Sequence, residues 1–424
     1  MSHSAEVPAE VLLITRIRTN NKGNQALSSA WAAMLAEAFP GAQVRALERR
    51  PSHVAQYTFD QLQHARDPFR LFDEMSSQLA KLAPGPGFIS APKGPPRIQL
   101  SEAITPEPMF AALRKRLNLR KWAARAGRYR EDYRKRLAAI QRAQLVVVNP
   151  AGEFFPENPA PAFYHLLDAH VAKKLGRHTA IVNHTLDVND PTLRKLIPRI
   201  YKDLDLVGFR DDKSIATFKA MGGDLANVLV TPDLALMTAR PAGRKPVANR
   251  VAIAVHAPAA SWSDRASLWV DVIAGLKAKG FDVVFVSNEV PADEAFYARV
   301  RERVEVPFEG KGLDYDRYCA MLGGFEFVVS SRMHTSILAM VAGTPVIPIE
   351  GPSFKISGLF AELGFDRQVI QPTQPGWVQQ AIDAAVGMRG ADSAAVQEVE
   401  TRIVAARARI TEALIPRLQQ AGRA

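Results

Sequence analysis

The chain has 424 residues, 47% of them apolar, a composition that is ordinary for a globular protein and a length that favours two domains. Its single cysteine, Cys319, excludes an internal disulfide and a cysteine-rich metal site. The net charge is +11, but nearly all of the excess lies in residues 113–142, so charge alone does not mark the whole protein as a nucleic-acid binder.

Ten short apolar segments alternate with helical patterns, which predicts parallel α/β units. Six of them are residues 11–17, 43–47, 145–149, 179–183, 206–209 and 228–230. The other four are residues 251–256, 282–286, 325–330 and 346–349. Residues 239–249, rich in Pro, Gly and charge, are the predicted linker. We therefore expect one domain over residues 1–240 and a second over residues 250–424, with a terminal helix over residues 394–414.

A polar turn follows the first predicted strand and leads into a helix. Gly23 allows close approach of the backbone, and Asn24 is the predicted N-cap. Because the turn lies at the carboxyl end of a strand, Asn21, Gly23 and Asn24 are candidate substrate-binding residues. A simple connection between strand and helix is the alternative.

Residues 53–142 interrupt the alternation and form a predicted insertion in the first domain. Residues 53–108 are expected to be loop-rich and mobile. Residues 113–142 contain twelve Lys or Arg against Glu131 and Asp132, a local charge of +10. Apolar residues recur there at three- and four-residue steps, which predicts a basic amphipathic helix or helix pair.

Three interpretations of this basic segment are open. It could be a solvated helix face packed on the domain. Because Trp122, Tyr129 and Tyr133 suit an interface, it could also contact an anionic membrane or a lipid-linked acceptor. Nucleic acid is the third alternative, although no nucleic-acid-binding module accompanies the segment. No transmembrane run or signal peptide is evident, so we expect a cytoplasmic protein, with peripheral contact at the inner face of the membrane left open.

Three further strand ends in the first half carry polar side chains. Glu153, flanked by aromatic residues in NPAGEFF, is a candidate base or hydroxyl acceptor for a sugar, with a surface loop as the alternative. His184 also ends a strand and is a candidate substrate-binding residue, although a structural, hydrogen-bonded histidine is the commoner role. Arg210 lies at a strand-to-helix turn, where Asp211 or Asp212 could cap the helix and leave the arginine to bind an anion. An Arg-Asp pair that stabilises the turn is the alternative.

The pattern of apolar and polar residues over 325–350 predicts a buried strand, a polar elbow, a helix and a second buried strand. Ser331, Arg332 and His334 lie in the elbow, where free backbone N–H groups and the helix dipole favour an anion. An arginine beside a histidine there suggests a ligand that is both held and protonated. A capped helix with Arg332 paired to a carboxylate is the alternative. Lys355 follows the next strand and adds positive charge to the same predicted cleft.

No GxGxxG, GxxxxGK[ST] or HExxH motif occurs, which disfavours a nucleotide hydrolase and a zinc hydrolase. Five blocks occur in an order that resembles the polysaccharide pyruvyltransferases: NNKGNQAL, GFRDDKS, TPDLAL, SSRMHTSILAMVAGTPVIPIE and FKISGLFAELGF. The resemblance covers most of the chain outside residues 50–140. It implies an α/β fold with two Rossmann-like domains facing a central cleft, similar to GT-B glycosyltransferases. NPAGEFF and NHTLD depart from the glycine-rich turns that family members commonly have.

Members of that family transfer the enolpyruvyl group of phosphoenolpyruvate onto two hydroxyls of a sugar, giving a cyclic ketal and phosphate. The resemblance implies that Arg210 and Arg332 hold the anionic groups of the donor and that His334 is the catalytic acid. Glu153 is the candidate base, and no metal or organic cofactor is implied. The acceptor would be a glycan or its lipid-linked or nucleotide-linked precursor. The alternatives are a glycosyltransferase or epimerase that uses a nucleotide sugar, and a non-catalytic protein that binds anions or a membrane surface.

Overall fold

The computed structural model of the protein describes residues 8–17, 19–48, 59, 62–63, 65–83, 99–100, 133–156, 158–256, 266–365, 369–390 and 393–423. They form two sheets, in which all pairs of neighbouring strands are parallel.

The first sheet has seven strands. They are β1 (Glu10–Thr15), β2 (Gln43–Glu48), β3 (Gln99–Leu100), β4 (Leu145–Val148), β5 (His178–His184), β6 (Leu206–Phe209) and β7 (Val228–Val230). Their spatial order is β3-β2-β1-β4-β5-β6-β7. The strands from β1 to β3 are added in one direction and those from β4 to β7 in the other, so the strand order reverses between β1 and β4.

The second sheet has five strands. They are β8 (Arg250–Ala254), β9 (Asp282–Val286), β10 (Phe308–Glu309), β11 (Phe327–Ser330) and β12 (Val346–Pro348). Their order is β10-β9-β8-β11-β12, with a reversal between β8 and β11. Ligands of open parallel sheets bind beyond the carboxyl ends of the strands at such reversals.

Helices connect the strands. In the first half they are α1 (Lys22–Ala38), α2 (Pro68–Ala80), α3 (Pro159–Lys174), α4 (Pro191–Lys202) and α5 (Asp212–Ala220). In the second half they are α6 (Ala266–Ala278), α7 (Ala292–Arg301), α8 (Tyr315–Leu322), α9 (Met333–Val341), α10 (Lys355–Glu362), α11 (Trp377–Gly387) and α12 (Ser393–Ala421). A 3₁₀ turn covers Leu234–Met237, and residues 133–142 are also helical.

The apolar strands are covered on both faces. In β1, Val11 and Leu13 belong to one buried cluster, whereas Leu12 and Ile14 belong to another. Alternate side chains of a strand point to opposite faces, so continuous apolar runs are required when helices cover both. This explains why the ten predicted strands were visible in the sequence, and all ten are confirmed. The other two strands, β3 and β10, have two residues each and carry too little pattern to be predicted.

The linker and the terminal helix join the two halves. Residues 239–249 contain no helix or strand, and Arg244 in this segment donates hydrogen bonds to the carbonyls of Phe325 and Glu326 at 3.2 and 2.7 Å. Helix α12 extends beyond the predicted residues 394–414 and contacts α9 as well as α1, β5 and β6. The C-terminal helix therefore packs on both domains.

The predicted insertion is described in part. The expectation of a loop-rich region is wrong for α2, which starts at an Asp67 N-cap and buries Phe72. The other residues of 53–108 lie outside the described part of the chain, apart from residues 59, 62–63, 65–67, 81–83 and 99–100.

Most of the basic segment, residues 113–132, also lies outside the described residues. In the described residues 133–142, Tyr133, Leu137 and Ile140 are buried, so Tyr133 packs in the domain rather than at a membrane interface. Arg136 forms an ion pair with the buried Asp168. No helix in the described ranges is both long and apolar enough to cross a bilayer.

Candidate active site

A cavity of about 560 Å³ lies between the carboxyl ends of the two sheets. Its residues follow strands on both sides of each reversal in strand order. The first sheet contributes Arg16, Asn21, Asn24, Gly152, Glu153 and Arg210. The second contributes His256, Glu289, Ser331, Arg332, His334 and Lys355. The cavity is therefore at the position where this topology places ligands.

The turn before α1 connects the two domains. Asn21, rather than the predicted Asn24, is the N-cap of α1, because its Oδ1 accepts a hydrogen bond from the backbone N–H of Asn24 at 3.1 Å. The Nδ2 of Asn21 donates to Oε2 of Glu289 at 2.9 Å, and the backbone N–H of Lys22 donates to the carbonyl of Asn288 at 3.1 Å. Asn24 lines the cavity without capping the helix.

Gly23 leaves room for His334. A Cβ atom at this glycine would lie 2.2 Å from Cγ and Nδ1 of the His334 imidazole, closer than any side chain allows. The helix start and the histidine come from different domains, so this contact fixes the position of the imidazole relative to the first sheet. Gly23 permits a close approach, to a side chain of the other domain, and its role in substrate binding stays a prediction.

His334 lies in the first turn of α9 with its Nε2 3.8 Å from Oδ2 of Asp233. Burial lowers the pKa of the imidazole to about 4, and the negative charge of Asp233 opposes this effect. Nearby cations lower the pKa further, with Arg210 first among them. Within the described residues, Nε2 has no hydrogen-bond partner. The side chain is therefore neutral near neutral pH, with a ring nitrogen open to a ligand.

Arg210 follows β6 and is almost completely buried, with 2% of its side chain exposed. Its Nη1 donates to Oδ2 of Asp233 at 2.6 Å, and its Nε donates to Oγ1 of Thr185 at 2.8 Å. Its Nη2 has no acceptor among the described side chains and backbone groups. Asp211 is the N-cap of α5, so the helix cap and the partner of Arg210 are different residues. A buried guanidinium N–H group without an acceptor suits an anionic ligand.

Arg332 lines the cavity but is already paired. Its Nη1 lies 3.4 Å from Oε2 of Glu289, its Nη2 pairs with Asp293, and its Nε donates to the carbonyl of Val255 at 3.0 Å. The carboxylate pairing that was the alternative for this residue is thus present. Ser331 supports the same elbow, because its Oγ accepts from the backbone N–H of His256 at 2.9 Å. An anion clamp at Arg332 stays a prediction.

Lys355, in the first turn of α10, reaches across to the first domain. Its Nζ donates to the carbonyl of Gly152 at 2.7 Å and lies 4.5 Å from the centroid of the Phe155 ring. Burial lowers the pKa of its ammonium group to about 7, and the charge of Arg210 adds to this effect. Lys355 is therefore a cation whose charge changes near neutral pH.

His184 is not brought to the cavity, which corrects its assignment to substrate binding. Its Nε2 lies 2.8 Å from the hydroxyl of Tyr201, and its ring packs against Phe154 and Phe209. The backbone explains this position, because Asn183 has φ of 60° and the register of β5 against β6 shifts between Ile181 and His184. His184 is a core residue, and burial holds its pKa well below the usual value.

Several residues near the cavity were not singled out in the sequence. Asp233 lies in TPDLAL, a block that carried the family resemblance, and Glu289 follows β9 at its carboxyl end, so both had a signal. His256 likewise follows β8. Asp293 and His165 lie within helices and lacked such a signal.

Solved structures support the expected architecture. A proposed UDP-N-acetylglucosamine 2-epimerase from Listeria monocytogenes has a TM-score of 0.51 and 12% identity, covering 93% of this chain and 91% of its own. A glycosyltransferase from Rickettsia africae has a TM-score of 0.51 and 12% identity, covering 97% and 95%. At this identity the likeness concerns the fold alone. It confirms the two Rossmann-like domains in a GT-B-like arrangement.

Among curated proteins, no match to the chain is found. The family model described as polysaccharide pyruvyl transferase matches residues 21–352, which include Asn21 at the start of α1, Arg210 and the α9 elbow. The matched region contains most of the cavity residues from both domains. The chain belongs to the polysaccharide pyruvyl transferase family.

Proposed function

We propose that the protein transfers the pyruvyl group of phosphoenolpyruvate onto two hydroxyls of one sugar in a polysaccharide or its precursor, forming a cyclic ketal. One observation carries this proposal. Oδ2 of Asp233 lies beside two nitrogen-bearing side chains, Arg210 and His334, each with a buried nitrogen that has no partner within the described structure. A proposed anion binder and a proposed proton carrier thus both line the cavity and share one carboxylate.

The donor carries a phosphate and a carboxylate, and the cavity offers positive groups for both. Nη2 of Arg210 is a buried donor in need of an acceptor, and Lys355 supplies a second cation from the other domain. Arg332 would join them if the donor displaced part of its contact with Glu289. Charge-assisted hydrogen bonds of this kind are about twice as strong as neutral ones.

His334 is proposed to give a proton to C3 of the donor. Its pKa is about 4, lowered by burial and by neighbouring cations. The negative charges of a bound donor would neutralise these cations and raise the pKa, so that the histidine takes up its proton when the donor binds. The reaction then starts from an imidazolium beside the donor's double bond.

The steps balance with protein side chains alone, and no metal or organic cofactor is needed. The π-electron pair of C2=C3 takes the proton from His334, and C2 becomes electrophilic. The first sugar hydroxyl adds to C2 and gives up its proton to a base, for which Glu153 is the candidate within the cavity. The oxygen of the second hydroxyl then bonds to C2 as the C2–O bond to phosphate breaks, which closes the ketal. Phosphate leaves with the electron pair of the broken bond and takes up the proton of the second hydroxyl.

Other polar residues of the cavity are assigned to binding of the sugar acceptor. Asn21, Asn24 and Ser331 line the cavity and are proposed to contact the substrates. The glycan class of the acceptor rests on the family, whereas the sugar and its hydroxyl pair are left to experiment.

The direct experiment incubates the protein with phosphoenolpyruvate and a panel of UDP-linked and p-nitrophenyl-linked hexoses. We expect phosphate release together with a new ketal methyl resonance in the NMR spectrum of the sugar product. His334→Asn should abolish both signals while the circular dichroism spectrum is retained. Turnover of a nucleotide sugar without phosphoenolpyruvate would instead identify a glycosyltransferase or epimerase.

A further inference from the structure

Glu153 connects the cavity to a buried histidine. The residue lies in the turn after β4, where its backbone N–H donates to the carbonyl of Pro150 at 3.1 Å. Its side chain lines the cavity and is 13% exposed. Oε2 lies 2.7 Å from Nε2 of His165, and Oε1 lies 3.5 Å from Nε of Arg16. Oε2 therefore contacts the buried His165, and Oε1 lies near the cationic Arg16, which also lines the cavity.

His165 is fixed by its surroundings. It lies within α3, its side chain is 1% exposed, and its ring stacks on Phe154 with a centroid distance of 6.4 Å and an angle of 22° between the rings. An ionised carboxylate only accepts hydrogen bonds, so a Glu153 that acts as a base accepts one from Nε2–H of His165. The imidazole thus fixes the orientation of the carboxylate.

Glu153 also lies near Lys355, which is proposed to hold the donor. The negative charge of Glu153 raises the pKa of Lys355, opposing the effect of burial on that group. Lys355 is bound to the carbonyl of Gly152, the residue before Glu153. A sugar between Glu153 and a donor held near Lys355 would have a hydroxyl within reach of both the carboxylate and the electrophilic carbon.

The geometry points to Glu153 and His165 as a catalytic dyad, in which Glu153 takes the proton of the hydroxyl that first attacks C2 and His165 positions the carboxylate. In this step the O–H bond breaks, the O–C2 bond forms, and the proton moves to Glu153. The inference rests on the proposed function and assigns the sugar side of that reaction. His165 does not touch the substrate and acts only through Glu153, as an orienting residue does in other catalytic groups.

A matched histidine on the same helix provides the control. His170 is also buried in α3, its Nε2 lies 2.9 Å from Oδ1 of Asp73, and neither residue lines the cavity. His165→Gln and His170→Gln therefore each remove a contact between a buried imidazole and a carboxylate. Only the first should change catalysis.

The test measures kcat and the KM for phosphoenolpyruvate with the panel of hexose acceptors described above. We expect Glu153→Gln to lower kcat about 10² to 10⁴-fold, the usual contribution of a general base, with the donor KM unchanged. His165→Gln should lower kcat at least about tenfold with the same KM, and His170→Gln should leave both constants near the wild-type values. Calorimetric binding of phosphoenolpyruvate by each variant confirms that the donor side is intact.

A kcat for Glu153→Gln within about threefold of the wild type would overturn the dyad. Equal losses for His165→Gln and His170→Gln would overturn the positioning role of His165. A wild-type protein that fails to consume phosphoenolpyruvate with every acceptor would contradict the proposed function itself, which separates that failure from a failure of this inference.

Discussion

Nε2 of His334 lies 3.8 Å from Oδ2 of Asp233, and the same oxygen accepts a hydrogen bond from Arg210 at 2.6 Å. Asp233 and Arg210 come from the first domain, whereas His334 comes from the second. One buried carboxylate therefore links the proposed proton donor to the proposed anion binder across the cleft.

Asp233→Asn should weaken both stability and catalysis. It leaves the buried guanidinium of Arg210 without its counter-charge, which typically costs about 3–5 kcal/mol of unfolding free energy. It also removes the negative charge that raises the pKa of His334, so turnover should fall by about 10²-fold or more. Urea unfolding and phosphate release measure the two effects, and an unchanged value of either would contradict the assigned role.

Gly23→Ala should impair catalysis while the fold survives. The added Cβ would clash with the imidazole of His334 and push it from the cavity, so we expect a loss of kcat of about 10²-fold or more. Gly387→Ala is the control, because that glycine ends α11 and no heavy atom lies within 4 Å of its added Cβ. The control should keep full activity and lie within about 1 kcal/mol of the wild-type stability. Similar activity of the two variants would argue against the contact.

The affinity for phosphoenolpyruvate should depend on the charge of Lys355. Because burial lowers the pKa of this lysine to about 7, its positive charge is present below that pH and is lost above it. Wild-type affinity should therefore fall as the pH rises above about 7.5, where the phosphate of the donor is already ionised. Lys355→Arg stays charged and should keep its affinity to higher pH. Parallel pH profiles for the two proteins, measured by calorimetry, would refute this account.

Donor binding should be accompanied by proton uptake at His334. The pKa of His334 is about 4, and the negative charge of the donor is proposed to raise it toward neutral pH, so we expect the complex to hold more protons than the free protein. Calorimetry of phosphoenolpyruvate binding in two buffers with different ionisation enthalpies measures the number of protons taken up. Lys355→Arg removes the contribution of the lysine, and uptake should remain in that variant and vanish when His334→Asn is added. Binding without uptake in Lys355→Arg would exclude the proposed protonation.

Much of the site could be predicted because residues that follow parallel strands lie near the ligand-binding edge of the sheet. Apolar runs covered on both faces revealed the strands, and parallel strands bring their carboxyl ends to one edge of the sheet. Arg210 follows β6, Arg332 and His334 follow β11, and Lys355 follows β12, and the fold brings all four residues to one cavity. Their arrangement therefore followed from the order of the elements without knowledge of individual contacts.

The contacts themselves depend on distant parts of the chain. Arg332 meets Asp293 and Glu289 only after the second sheet has formed, so its pairing could not be read from the elbow alone. The buried position of His184 depends on a register shift and on the left-handed backbone of Asn183, and a regular strand pattern reveals neither. Asn21 and Asn24 both suit the N-cap of α1, and local sequence does not distinguish them.

The most direct measurement runs the reaction with phosphoenolpyruvate in D₂O and analyses the ketal methyl group by NMR and mass spectrometry. Protonation of C3 from an exchangeable group in the cavity predicts a CH₂D group in the product of the wild-type protein and no product with His334→Asn. A ketal methyl without deuterium, or undiminished product formation by His334→Asn, would contradict the central role assigned to His334.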